Sequence, residues 1–230
     1  MITEIVTFQL KGSASLSDPS SPASKSMQEF LASELAAYGA HSAYYGQFIE
    51  KPETAIIFVN WDSIDDHKAF MSSPTYEAHV NRMRTLLEDE KTVKVLHVPF
   101  GPSDNPASAL GANSKVGATE VVFFYFPSTL TTTDKDAIMS SIDKMRPVIE
   151  RSESLSVYDG WAVEEEVPNP GPDAGEGEKN KVYVNVVGWV DVEAHMQFQG
   201  SEDFQQNIHH LLGIKELKHT ELYHVKLHAV

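Results

Sequence analysis

The stretch that decides the fold is WDSIDDHKAFMSSPTYEAHV, Trp61 to Val80, because it returns as WVDVEAHMQFQGSEDFQQNI, Trp189 to Ile208. A gap-free shift of 128 positions puts Trp61 on Trp189, His67 on His195, Phe70 on Phe198, Ser73 on Ser201, Tyr76 on Phe204 and Val80 on Ile208. A strand end, a helix register and a helix break coincide, which chance does not readily supply, so the chain reads as an internal duplication. The pair Thr3-Glu4 of ITEIVTFQL likewise recurs as Thr119-Glu120 before the apolar run VVFFYFP.

Outward from Trp61, alternation over Ile2 to Leu10 predicts a strand. Gly12 to Ser24 is rich in Ser, Pro and Ala and reads as a mobile loop. A helix is expected from about Ser26, with Ser26 and Glu29 as a capping box and Met27, Phe30, Leu31, Leu35 and Tyr38 as its apolar stripe. Strands over Ala43 to Glu50 and Ala55 to Trp61 form a hairpin. Asp62 to Leu87 is helical in two pieces broken at Ser72-Ser73-Pro74, and Lys91 to Phe100 is a strand.

In the second half, Thr133 and Asp136 offer a capping box for a helix carrying Ile138, Ile142, Met145 and Ile149, with Pro147 kinking its last turn. Strands over Ser154 to Glu164 and Lys181 to Val190 flank VPNPGPDAGEGEKN, which reads as an exposed, partly disordered loop. The expected class is α+β: two ferredoxin-like β-α-β-β-α-β repeats over residues 1–100 and 118–230, joined by a linker over 101–117. Neither sheet can leave a face bare, so each half should cover the other.

The 230 residues carry 33 acidic against 18 basic side chains, a net charge of −15, which disfavours nucleic acid and anionic membrane surfaces as partners. Cysteine is absent, so disulfides, thiol nucleophiles, cysteine-bound zinc and ordinary iron–sulfur clusters are excluded. No apolar run reaches bilayer-spanning length and the amino terminus lacks a signal pattern; the expected location is the cytoplasm. Phosphate-binding glycine loops and the GxSxG nucleophile turn are also missing. For a metal, His224 and His228 would lie roughly 13 Å apart along one strand, and His209 and His210 diverge on a helix. Neither a metal nor another cofactor is therefore expected, with one axial haem histidine as a minor alternative.

A strand ending in Trp, a histidine six residues later and Ser-Pro-x-Tyr opening the next helix resemble the antibiotic-biosynthesis-monooxygenase family of the dimeric α+β barrel superfamily. The resemblance implies that units which normally pair as separate chains here close a pseudo-dimeric α+β barrel within one polypeptide, as a monomer or a homodimer. It also implies a site with Asn four residues before the Trp, a ring residue six after it and a polar or basic residue about twenty after it. Asn185, Trp189, His195 and His209 meet that spacing, with histidines where the family has tyrosine and arginine. The first half has Ile57 and Asn81 at the matching positions, which leaves Trp61 and His67 as a second-choice site.

On these residues the expected function is a cofactor-independent monooxygenase of specialised metabolism, acting on a small aromatic or polyketide-like ligand. His195 or His209 would remove a phenolic proton or one α to a carbonyl. Asn185 and Trp189 would orient the developing enolate oxygen, with Tyr183, Tyr158 and Trp161 adding rings, provided that their side of the strand faces the barrel interior. The plainer alternative is that Trp189 is core, Asn185 satisfies backbone, and His67 and His195 share a structural hydrogen bond. A polyketide cyclase or lyase using the same base, and a non-catalytic ligand-binding or stress-response barrel, also fit the pattern.

Overall fold

The computed structural model describes residues 1–35, 39–100, 106–111 and 115–230; Tyr38 of the expected helix stripe lies outside them. Strands β1 (Ile2–Gln9), β2 (Ala40–Gln47), β3 (Thr54–Trp61) and β4 (Lys94–Val98) form an antiparallel sheet in the order β2-β3-β1-β4. Strands β5 (Ala118–Pro127), β6 (Ser156–Trp161), the short β7 (Val167–Pro168), β8 (Lys179–Trp189) and β9 (His219–Val225) form a second, ordered β6-β8-β5-β9 with β7 on β8. A short β10 (His228–Ala229) returns to pair with β2 of the first sheet.

Alternation along each strand divides its side chains between two environments. Ile5, Ile56 and Phe58 of the first sheet pack with Val121, Phe123, Val182, Val184 and Val186 of the second in one shared core. The opposite faces carry helices. Met27, Phe30 and Leu31 of α1 (Pro22–Leu35) and Phe70 of α2 (Ile64–Met71) pack on Val6, Phe8, Ile57 and Trp61, with α3 (Tyr76–Arg84) alongside. On the second sheet, Ile138 and Ile142 of α4 (Thr132–Glu150) pack on Val122, Phe124 and Tyr183, followed by α5 (Val192–Gln199), α6 (Glu202–Asn207) and α7 (His209–Leu212). The result is a mixed α+β fold of two antiparallel sheets with helices outside.

The two sheets are stitched at both edges. Ile49 N–H donates to His224 O and Val163 N–H to His97 O, each at 2.8 Å. Two glycines permit the backbones to meet there: a Cβ on Gly46 would lie 2.5 Å from Val225 Cγ2, and one on Gly160 would lie 2.9 Å from Pro99 O.

Several local expectations shift. Helix α1 begins at Pro22, with Ser21 Oγ accepting from Ser24 N–H, so the Ser26–Glu29 box is not its start. The capping box of α4 is Thr131 with Asp134, two residues before the expected pair, and α4 runs through Pro147 to Glu150. The segment read as a mobile loop is anchored by Leu16, which is fully buried while its N–H donates to Gln47 Oε1. Val167, in the stretch read as exposed and partly disordered, is buried in the shared core. Ala109 and Leu110, within 101–117, are buried there too. His224 and His228 fall on different strands. Among the described residues no helix is long and apolar enough to cross a membrane.

Candidate functional site

The shared parity of Tyr183, Asn185, Val187 and Trp189 does place them on one face of β8, but that face looks toward the helices. The expectation that it faces the interior between the sheets is corrected, because Val182, Val184 and Val186 fill that interior. Between the helix-facing side of the second sheet and helices α4 to α7 lies a cavity of about 240 Å³. Val122, Phe124, Ile142, Val187, Phe198 and Leu222 make its wall largely apolar, and Glu120, Asn185, Trp189 and His195 add polar groups.

Glu120 is there because it shares a face of β5 with Val122 and Phe124. Trp189 Nε1–H donates to Glu120 Oε2 at 2.8 Å, and His195 Nε2 stands 3.5 Å from the same oxygen. The His195 ring lies flat on Trp189, with centroids 4.9 Å apart. His195 comes from the first turn of α5, whose N-cap Asp191 accepts from Ala194 N–H. Its Nδ1 is 2.6 Å from Nε2 of His224 on β9. His224 in turn donates its backbone N–H to Glu50 Oε2 at 2.8 Å, and its Nδ1 meets Glu50 Oε1 at 2.5 Å.

Burial raises the Glu120 carboxyl to about 7, against the opposing pull of the Trp189 N–H. Burial, with His224 adjacent, lowers His195 to about 4 despite the nearby Glu50. Glu50 loses solvation too, but the two N–H groups of His224 outweigh that and hold it below the usual carboxylate range. At neutral pH, then, His195 is an uncharged ring and Glu120 is divided between its acid and carboxylate forms. Asn185 is 8% exposed, and among the described residues no protein group hydrogen-bonds its side-chain amide. Its donors and acceptor are free for a ligand.

The other expected site residues lie elsewhere. Tyr183 is fully buried against Trp161, with ring centroids 5.2 Å apart, and Trp161 lies beneath the Lys135 ammonium. Tyr158 points to the opposite face of β6, where its hydroxyl meets Ser108 Oγ. His209 is exposed and lies against His210 rather than in the cavity.

The first half repeats the arrangement. Trp61 Nε1–H donates to Glu4 Oε2 at 3.0 Å, and His67 Nε2 is 3.5 Å from that oxygen. His67 Nδ1 is 2.8 Å from His97 Nε2, and His97 Nδ1 is 2.7 Å from Glu164 Oε1. Here a cavity of about 250 Å³ has Ile57 on its wall where the second half has Asn185, and adds Glu34 and His79. Glu4, His67 and His97 bring three potential metal-ligand atoms within 4.8 Å of one another, but the two ring nitrogens are engaged with each other. Nor do the residues fit an axial haem ligand: the nitrogen of His195 not bonded to His224 faces Glu120, and its ring is stacked on Trp189.

Sequence reasoning missed Glu120, His224 and Glu50. The signal for Glu120 was its place in the repeated Thr-Glu pair, on the apolar side of an alternating strand. His224 and Glu50 are joined across 174 positions, a link that no local pattern reveals.

No protein-family profile and no curated protein sequence matches the chain. Among solved structures it is similar to a candidate monooxygenase of Fusobacterium nucleatum at 9% identity and TM-score 0.58, covering 98% of this chain and 91% of that one. A candidate monooxygenase of Lactobacillus acidophilus aligns at 11% identity and TM-score 0.57, covering 100% and 95%. An anthrone oxidase-like protein aligns at 10% identity and TM-score 0.61, covering 100% and 92%. The likeness extends over nearly the whole chain, and at these identities it is a likeness of fold: two antiparallel sheets with helices, as in these proteins.

Proposed function

We propose that the chain is a pseudo-dimeric α+β barrel of two β-α-β-β-α-β repeats whose second-half cavity is the active site of a cofactor-independent monooxygenase. The observation that carries this reading is a buried carboxyl–imidazole pair and an unpartnered amide facing one apolar cavity. Three structural neighbours named as monooxygenases or as anthrone oxidase-like support the monooxygenase part of this reading. At about 240 Å³ the cavity lies just below the roughly 300 Å³ at which drug-sized sites begin, so a compact fused-ring ligand suits it.

In this mechanism the Glu120 carboxylate takes a proton from a methylene flanked by aromatic rings and conjugated with a carbonyl. The electron pair delocalises onto the carbonyl oxygen, which Asn185 Nδ2–H stabilises. The carbanion then transfers electrons to dioxygen, a C–O bond forms, and the resulting peroxide is protonated. Its O–O bond breaks as the second C–H proton leaves, so CH₂ plus O₂ becomes C=O plus H₂O. Trp189 Nε1–H fixes the Glu120 carboxylate, and His195 Nε2 faces the same oxygen. His209 has no part in this scheme, and the first half, with Ile57 in place of the amide, is the second choice.

Cyclisation or lyase chemistry shares the first step and differs in the fate of the carbanion. Oxygen uptake with an anthrone or a naphthol, without added flavin or metal, separates the readings. One O₂ consumed per carbonyl formed, with loss in Glu120→Gln, supports oxygenation; product without oxygen uptake supports cyclisation or lyase chemistry, and no turnover of either substrate supports a binding protein.

A further inference from the structure

A line of close contacts runs from the cavity's carboxyl group to a partly exposed side chain. From Glu120 Oε2 the steps are 3.5 Å to His195 Nε2, 2.6 Å from His195 Nδ1 to His224 Nε2, and 2.5 Å from His224 Nδ1 to Glu50 Oε1. The two histidines are only 2% and 3% exposed, whereas the Glu50 side chain is 40% exposed. The chain thus begins in a cavity, crosses buried imidazoles and ends in water. Glu50 follows β2 of the first half, while the other three groups belong to the second.

Ring-proton placement follows from the end of the chain. Ionised Glu50 only accepts, so His224 Nδ1 carries a proton. With both rings neutral, His224 Nε2 accepts from His195 Nδ1–H, and the lone pair of His195 Nε2 faces Glu120. From His195 to Glu50 every donor meets an acceptor in the direction that lets a proton leave the cavity. The first step, at 3.5 Å, is a contact without hydrogen-bond geometry, and the proposed path requires it to tighten when substrate binds, as contacts in catalytic sites commonly do.

We infer that His195, His224 and Glu50 form a reversible proton path between Glu120 and solvent, with its outlet supplied by the opposite half of the chain. The inference rests on the reading of the cavity as a deprotonating site. A proton taken up by Glu120 passes to His195 Nε2, the His195 Nδ1 proton to His224 Nε2, and the His224 Nδ1 proton to Glu50, which releases it. Both rings then hold their protons on Nε2. When the peroxide needs a proton, the same transfers run backward and restore both tautomers, so one proton leaves and one returns per turnover without ring rotation. His224 and Glu50 act through Glu120 and are positioning residues.

The equivalent chain in the first half runs from Glu4 through His67 and His97 to Glu164, so each half's path ends on a glutamate of the other. This supplies an internal control. Glu50→Gln keeps an acceptor for His224 but cannot carry the proton, and Glu50→Asp restores an ionisable group.

Two measurements test the path. In ligand-free protein, exchange of the His195 Nδ1 proton with water, read by ¹⁵N-resolved NMR, should slow by about tenfold or more in Glu50→Gln, recover in Glu50→Asp and stay unchanged in Glu164→Gln. Turnover in Glu50→Gln should fall by roughly tenfold in dilute buffer and return when imidazole buffer is added, with KM unchanged. Wild-type exchange and turnover in Glu50→Gln, or loss of turnover that imidazole does not restore, would overturn the path. If exchange slows as expected while no anthrone or naphthol is consumed, the path stands and the oxygenase reading fails.

Discussion

Glu50 and His224 come from opposite halves of the chain, yet the carboxylate of one accepts both the backbone and the ring N–H of the other. Glu164 and His97 repeat the contact in the reverse direction. With a shared apolar core between the sheets, these links predict that the halves unfold together, in one transition with coincident fluorescence and circular-dichroism midpoints in urea. Glu50→Ala should cost about 1 kcal/mol, the low end for unsatisfied donors, since partial exposure lets water replace the carboxylate. Two separate transitions would contradict the shared-core account.

Glu120 sets the pH response of the proposed chemistry. The base form is the carboxylate, so turnover should rise with pH through a midpoint of about 7. Glu120→Gln should lower kcat roughly 10²- to 10⁴-fold. A flat pH–rate profile between 6 and 8 would remove Glu120 from the base position.

The same group is a stability liability. Its folded-state pKa is raised from 4.5 to about 7, so its destabilising effect is absent below pH 4.5, grows as pH rises and is complete above about 7. At pH 8 the shift corresponds to on the order of 3 kcal/mol. Glu120→Gln should therefore be more stable than the parent at pH 8 and nearly equal to it at pH 4, a pattern that denaturant unfolding at the two pH values checks.

Burial lowers His67, His79 and His195 to about 4 each. A depressed histidine favours the neutral fold, so its stabilising effect is present above pH 6.5 and is lost as pH falls toward 4. Their ring resonances should stay at neutral positions down to about pH 5; titration of any of them near 6.5 would contradict its burial.

Asn185→Ala should reduce kcat by about 10²- to 10³-fold, with little change in the unfolding midpoint, because the amide serves no other protein group among the described residues. A large stability loss with intact turnover would mark Asn185 as structural instead.

At the seams, Gly46→Ala should destabilise by about 1–3 kcal/mol, since its new methyl would meet Val225 Cγ2 at 2.5 Å and the backbone oxygen of Lys226 at 2.7 Å. Thermal unfolding measures this, and an unchanged midpoint would mean that the seam is looser than its contacts indicate.

The elements around Trp61 and Trp189 were legible because strand alternation and helix periodicity are local patterns. Parity correctly grouped Tyr183 with Asn185 and Trp189, but parity does not say which of two cores a face meets. That choice depends on the opposing first sheet, which supplies Ile56 and Phe58 against Val182, Val184 and Val186. His195 was legible from its repeat. Its partners His224 and Glu50 were not, since they reach it through the pairing of distant edges. Leu16 and Val167 were misread because a single apolar anchor inside a polar segment changes composition little yet buries that segment.

The crossed glutamates also alter how the two halves can drift apart. On the proposed path, were the first cavity to fall idle, Glu50 would remain under selection on behalf of the second, because its carboxylate serves a histidine of the opposite half. A harmful substitution in one half would then surface as a defect in the other, so genetic lesions mapped by position alone would point to the wrong half.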